Sequence, residues 1–286
     1  MARIAIIGGG NMGEALLAGL LKSGHAARHV VVAEKAAGRA EYLAQSYGVR
    51  VAPLADAVEN AGFIILAVKP GDAGAVIGEV AAAVTGAPGD TPEQVLVSVI
   101  AGVTTGFYES RLPAGSPVIR AMPNAPALVG AGVSALAAGR FASAEQLAQA
   151  AELFRGVGEV LTVAESQIDA VTAVSGSGPA YFFLFLEALV DAGVANGLSR
   201  AVATDLAVQT LAGSAAMLSA RVADERSDPA GRPDTSAAQL RALVTSPGGT
   251  TAAGLRELER NGLRAAVAAA VEAAKTRSEQ LGVTSG

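Results

Sequence analysis

Short apolar runs alternate with amphipathic stretches through the first half of the chain. Residues 3–7, 30–34, 63–68, 95–99 and 118–122 are dense in Ile, Val and Leu. Such runs read as buried strands, because β-branched side chains fit a pleat covered on both faces. Between them, residues 11–23, 37–47, 54–60, 73–84 and 106–111 read as helices. Weaker strands are expected over 48–52, 133–137 and 160–163, and a loop over 86–91. Ser143 is placed to cap a helix that ends near Phe154. Strands alternating with helices imply an α/β domain, a mainly parallel sheet covered on both sides. The pattern leaves the order of strands in that sheet open.

From Ser166 the strand pattern stops. Residues 168–174, 179–194, 199–221, 235–243, 250–260 and 263–281 read as helices. Ser199 is the N-cap of the third, and Gly262 breaks the last two apart. Residues 224–233 contain Pro229 and Pro233 and read as a loop. The domain boundary is placed at Ala164, giving 1–164 and an all-helical 165–286. Residues 179–194 are apolar on most sides and need more cover than one small domain supplies. A homodimer intertwined through the helical half is the expectation.

Composition narrows the function classes. The chain has no Cys, which removes disulfides, thiolate metal sites and cysteine nucleophiles. With only two His, a metal centre is not expected. The net charge of −5 comes without a basic tract, so nucleic acid is not an expected partner. The mean hydropathy of +0.41 raises the membrane question. The apolar excess is mostly Ala and Val in short periods, without about 20 uninterrupted apolar residues. The first residues lack the apolar core of a signal peptide. A soluble cytoplasmic protein without a membrane partner is expected.

The chemistry concentrates at element ends. Gly8-Gly9-Gly10-Asn11-Met12-Gly13 satisfies G-x-G-x-x-G between a strand and a helix, the setting a dinucleotide-binding turn requires. Gly8 serves the tight turn, Gly10 the approach of a pyrophosphate, and Gly13 helix–strand packing. Glu34 ends the second strand, where a carboxylate accepts from ribose hydroxyls and repels a 2′-phosphate. Lys35 and Arg39 follow with the opposite charge, so NADH and NADPH both stay open. Val68, Lys69, Pro70, Ala101, Gly102 and Asn124 lie at later strand ends and are candidates for the nicotinamide half.

In the helical half, Ser175 opens Ser-Gly-Ser-Gly-Pro and is expected to shape the floor of the cleft as a substrate-binding residue. Thr245-Ser246-Pro247-Gly248-Gly249-Thr250-Thr251 precedes a helix, and converging N–H groups there would suit a small carboxylate. His25 and His29 read as connector residues. No Lys stands in the Ser-Gly-Ser-Gly-Pro helix region to take a hydroxyl proton. Hydride delivery to an already protonated C=N bond needs no such base.

These motifs together resemble the pyrroline-5-carboxylate reductase family over nearly the whole chain. The resemblance rests on residues 8–13, 67–70, 101–103, 120–124, 169–172, 175–181 and, most specifically, 240–255. It implies a Rossmann-like dinucleotide-binding domain followed by an all-helical dimerisation and substrate domain. It also implies hydride transfer from NADPH or NADH to L-1-pyrroline-5-carboxylate, giving L-proline. The substrate carboxylate would meet Ser246, Gly248, Gly249, Thr250 and Thr251, and the Thr251 hydroxyl would meet the ring nitrogen as the catalytic group. The family forms dimers, often assembled into rings such as decamers. Many members carry a Glu-x-His-Pro-like run where this chain has Asp234-Thr235-Ser236-Ala237, which leaves Asp234 as a candidate substrate contact. A β-hydroxyacid dehydrogenase or imine reductase of similar plan, and a non-catalytic nucleotide sensor, are the competing readings.

Overall fold

A computed structural model describes residues 3–85, 93–226 and 236–283. The loop expected over 86–91 and the candidate Asp234 lie outside the described residues. Eight strands form one sheet: β1 (Arg3–Ile7), β2 (Val30–Ala33), β3 (Arg50–Val51), β4 (Ala61–Leu66), β5 (Val95–Ser98), β6 (Val118–Met122), β7 (Gly132–Ala138) and β8 (Gly158–Thr162). Their spatial order is β3-β2-β1-β4-β5-β6-β7-β8. The first six are parallel, β7 runs antiparallel to β6, and β8 pairs parallel with β7. Only a short 3-10 turn, Ala125–Val129, separates β6 from β7. That link is too short for a crossover, so the chain must return antiparallel.

Around the sheet lie α1 (Asn11–Lys22), α2 (Ala37–Tyr47), α3 (Leu54–Val58), α4 (Ala73–Thr85), α5 (Thr105–Glu109) and α6 (Ala144–Arg155). The strand period of two sorts the core. Ile4 and Ile6 face a cluster with Leu16, Leu20 and Phe154, while Ala5 and Ile7 face one with Ile77 and Val80. Ser143 caps α6 through a full capping box with Gln146. The order in which successive strands are added reverses between β1 and β4, and such a switch point leaves a crevice at the carboxyl ends.

The remaining helices are α7 (Ile168–Val171), α8 (Gly178–Ala195), α9 (Arg200–Arg226), α10 (Ser236–Leu243), α11 (Thr250–Arg260) and α12 (Leu263–Val283). Several expected bounds shift: the strand of 63–68 runs Ala61–Leu66, that of 48–52 shortens to Arg50–Val51, and that of 160–163 runs Gly158–Thr162. The helix of 168–174 widens after Val171 into a π turn, Thr172–Gly176, closed by the Ser177 N–H on the Thr172 carbonyl at 2.8 Å. The expected loop at 224–233 begins later, because α9 continues to Arg226.

Two compact units emerge: Met1–Pro179 with Val271–Gly286, and Ala180–Ala270. The boundaries fall inside α8 and α12. Within the second unit, α8 and α9 meet over a small core of Val190, Ala203 and Ala207. Much apolar surface stays outside that core: Phe182, Phe183 and Leu184 are 60, 65 and 67 % exposed in the single chain. By length and composition, the helical segments Glu165–Ala195 and Arg200–Ala223 could cross a membrane, and both are mostly unburied. Their apolar faces are open surface in the single chain.

Candidate active site

The glycine turn joins β1 to α1. Gly8 has φ +103°, and a Cβ there would stand 2.6 Å from the Ala67 carbonyl oxygen. A Cβ on Gly13 would stand 2.0 Å from the Gly8 oxygen. Both glycines are therefore set by close approach of backbone. Gly10 differs: it is exposed and no atom lies within 4 Å of where its Cβ would be. It caps α1 without a side-chain hydrogen bond, so the helix presents its first N–H groups unscreened. Asn11 is exposed beside it, whereas Met12 packs partly against the core. Here a turn that backbone contacts force tight keeps its one open face towards an anion. This cradle fits the pyrophosphate of a dinucleotide.

Glu34 and Arg39 hold Gly9 from both sides. The Gly9 N–H donates to Glu34 Oε2 at 2.8 Å, and the Ala36 N–H donates to Glu34 Oε1 at 2.8 Å. Arg39 Nε donates to the Gly9 carbonyl at 2.6 Å, and its Nη2 pairs with Glu14. Tyr47 and Tyr42 also donate to Glu14, at 2.8 and 3.0 Å. Burial raises the Glu14 carboxyl, but these donors, Arg39 first, outweigh it and hold the group below its ordinary range. Burial, and then the Glu14 carboxylate, push the Tyr47 phenol up to about 12. Arg39 is thus committed to the turn and to Glu14. Lys35 is largely exposed and reaches Glu79 at 3.1 Å. A cavity of about 830 Å³ opens beside the turn, lined among others by Gly8, Gly10, Glu34, Lys35, Val68 and Lys69. That volume suits a cofactor-sized ligand.

The later strand ends share the same edge of the sheet, because β1, β4, β5 and β6 are parallel. Lys69 is exposed ahead of a 3-10 turn that Pro70 opens. Ala101 is half-buried. Gly102 serves packing: a Cβ there would stand 2.7 Å from the Ser278 carbonyl of α12. Asn124 is nearly buried, accepts from the Val133 N–H at 2.9 Å and donates to Ser175 Oγ at 3.3 Å. Two residues expected in different halves of the chain therefore meet.

Sequence reasoning gave no role to the polar network behind them. The Arg120 side chain is only 2 % exposed and donates to Asp169 Oδ1 at 2.8 Å, with Glu165 3.9 Å away. Asp169 also accepts from the Ser278 hydroxyl at 2.8 Å. Glu165 takes the Thr105 N–H at 2.6 Å and the Thr105 hydroxyl at 2.7 Å. The available signal was an arginine in mid-strand between Ile119 and Ala121, since a buried guanidinium requires carboxylate partners. Tyr108, pushed up to about 12 mainly by burial, stays protonated against Ser98 at 2.8 Å.

In the second unit, Gly248 adopts φ +70° and the Gly249 N–H closes on the Ser246 carbonyl at 3.0 Å. Gly249 then caps α11 without a side-chain hydrogen bond. Ser246, Thr250 and Thr251 are exposed. The first turn of α11 thus offers exposed N–H groups and hydroxyls within a few residues of one another, as a carboxylate would need.

A family model described as pyrroline-5-carboxylate reductase dimerisation matches residues 165–281. A second, described as NADP oxidoreductase, coenzyme F420-dependent, matches residues 3–102. Pyrroline-5-carboxylate reductase from Mycobacterium tuberculosis is 63 % identical over 99 % of this chain and 98 % of its own. A solved pyrroline-5-carboxylate reductase from Coxiella burnetii superposes with TM-score 0.86 at 34 % identity, covering 98 % of both chains. A Plasmodium falciparum pyrroline carboxylate reductase, whose crystal structure has NADP bound, superposes with TM-score 0.81 at 29 % identity, again over 98 % of both.

Proposed function

Because the chain belongs to the pyrroline-5-carboxylate reductase family, we propose that it reduces the C=N bond of L-1-pyrroline-5-carboxylate to give L-proline. The observation that carries this reading is the glycine turn, closed at Gly8 and Gly13 and open at Gly10. A reduced nicotinamide dinucleotide, NADH or NADPH, supplies the hydride when bound. The turn and the first N–H groups of α1 would hold its pyrophosphate. Glu34 has a backbone donor on each oxygen and retains further acceptor capacity for ribose hydroxyls. With Arg39 committed elsewhere, the local charge favours NADH, since a 2′-phosphate would approach Glu34.

Ser246 and the N–H groups around Gly249, Thr250 and Thr251 would seat the substrate carboxylate. The Thr251 hydroxyl would orient the ring nitrogen. A protonated imine is already electrophilic, so placement carries the rate and no strong protein acid is required. Asp234 stays a candidate contact to that nitrogen. We keep the functional boundary at residue 164, a reading supported by the dimerisation match that begins at residue 165. We further place the enzyme in the cytoplasm, as a homodimer through residues 165–281, with dimers assembling into a decamer.

The assay follows NADH or NADPH oxidation on addition of pyrroline-5-carboxylate. T251A should raise KM for the imine acid and lower kcat/KM. Absence of turnover with either nucleotide would overturn the assignment, and unchanged kinetics in T251A would remove that residue's role. A large advantage for NADPH would defeat the argument from Glu34.

A further inference from the structure

We propose that the Ser175 hydroxyl donates a hydrogen bond to the carboxamide oxygen of the nicotinamide, and that Asn124 orients it to do so. The proposal rests on the reductase reading and assigns one contact within it. In a sheet of this order the adenosine half lies beside β2 and the other half crosses the switch point towards β4, β5 and β6. Asn124 stands two residues past the carboxyl end of β6, on the side of the second half.

The direction of the hydrogen bonds follows from one fixed donor. The Val133 N–H can only donate, so the atom of Asn124 it meets at 2.9 Å must be the oxygen. The Asn124 amide nitrogen is then the atom facing Ser175 Oγ at 3.3 Å, and it donates. Ser175 Oγ already accepts, so its own hydrogen turns away from Asn124. That hydrogen has no acceptor among the described residues. A half-buried hydroxyl held in this state is a directed donor awaiting a partner.

The position of Ser175 is built. It lies in the π turn, and such turns concentrate at functional sites. Gly176 brings that turn against β6: a Cβ there would stand 2.7 Å from Met122 Cε. Asp169, in the helix just before, is held by Arg120 and Ser278. Ser175 is thus anchored from the strand that ends beside Asn124. Among the parts of the nicotinamide, the carboxamide oxygen is the neutral acceptor such a donor would take.

The test is binding, measured on the whole protein by fluorescence titration of NADH and by calorimetry with ADP-ribose, which has no carboxamide. S175A removes the donor. N124D reverses the relay, because a carboxylate accepts from both Val133 and Ser175. Each variant should weaken NADH about fivefold, the value of one neutral hydrogen bond, and leave ADP-ribose unchanged; S175T should stay near wild type. Equal losses for both ligands would mean a structural role and overturn the proposal. NADH affinity unchanged in S175A would also overturn it. If that variant instead raises KM for the imine acid, the donor serves the substrate, and the reductase reading survives without this contact. Wild-type protein that binds neither ligand would sink both.

Discussion

At the scale of single residues, the motif glycines Gly8, Gly10 and Gly13 separate folding from binding. G13A forces a Cβ into the Gly8 carbonyl at 2.0 Å and should cost about 1–3 kcal/mol or more. G10A meets no atom within 4 Å, and its φ of −64° is ordinary for any residue. It should melt within about 0.5 kcal/mol of wild type yet bind dinucleotide poorly, because the added methyl occupies the ligand's side. Thermal melts beside NADH titrations check both. Arg120 is a second such point. R120A leaves Asp169 and Glu165 without their guanidinium and should cost about 3–5 kcal/mol in urea unfolding. R120K should recover only part of this, since an ammonium lacks the planar fork that reaches both carboxylates. The glycine spacing was legible because the steric demand is local. The partners of Arg120 were not, because they lie 45 and 49 residues ahead in sequence (165 − 120 and 169 − 120).

Between elements, the clamp from α2 onto the turn sets a pH dependence. The Glu14 carboxyl is held below its ordinary value of 4.5 in the folded chain. The unfolded chain therefore binds that proton more tightly, and stability falls as protons are added. The contribution is fully present above about pH 4.5 and is lost as pH falls through the lower folded value. Melting curves between neutral pH and pH 3 should show wild type losing more stability than E14Q, which cannot titrate. The helices themselves were readable with small shifts: α2 and α11 fall on the expected 37–47 and 250–260. The π turn was not readable, because its widened hydrogen bonds depend on what Gly176 packs against. Nor was the role of Gly102, whose constraint comes from α12 at the far end of the chain.

At the scale of the whole molecule, the second unit makes sense only with company. A dimerisation domain covers residues 165–281, and the apolar face of α8 is open in the single chain. F183D with L184D places charge on that face, where burial without a partner costs several kcal/mol (about 2–7 for a polar group, more for a charge). Light scattering after size exclusion should show wild type as a dimer or a multiple of it, and the double variant shifted towards monomer. Sedimentation as a monomer by wild type itself would contradict the domain's role.

The sequence by itself determined the succession of strands and helices, the glycine turn between the first strand and helix, and the excess of apolar helix surface. Each of these follows from periodicity, backbone sterics or side-chain size within a few residues. Only the tertiary structure decided the strand order, the reversal at β7, the sequestering of Arg39 and the meeting of Asn124 with Ser175. Those depend on groups far apart in the chain becoming neighbours, and no local pattern encodes which donor will find which acceptor.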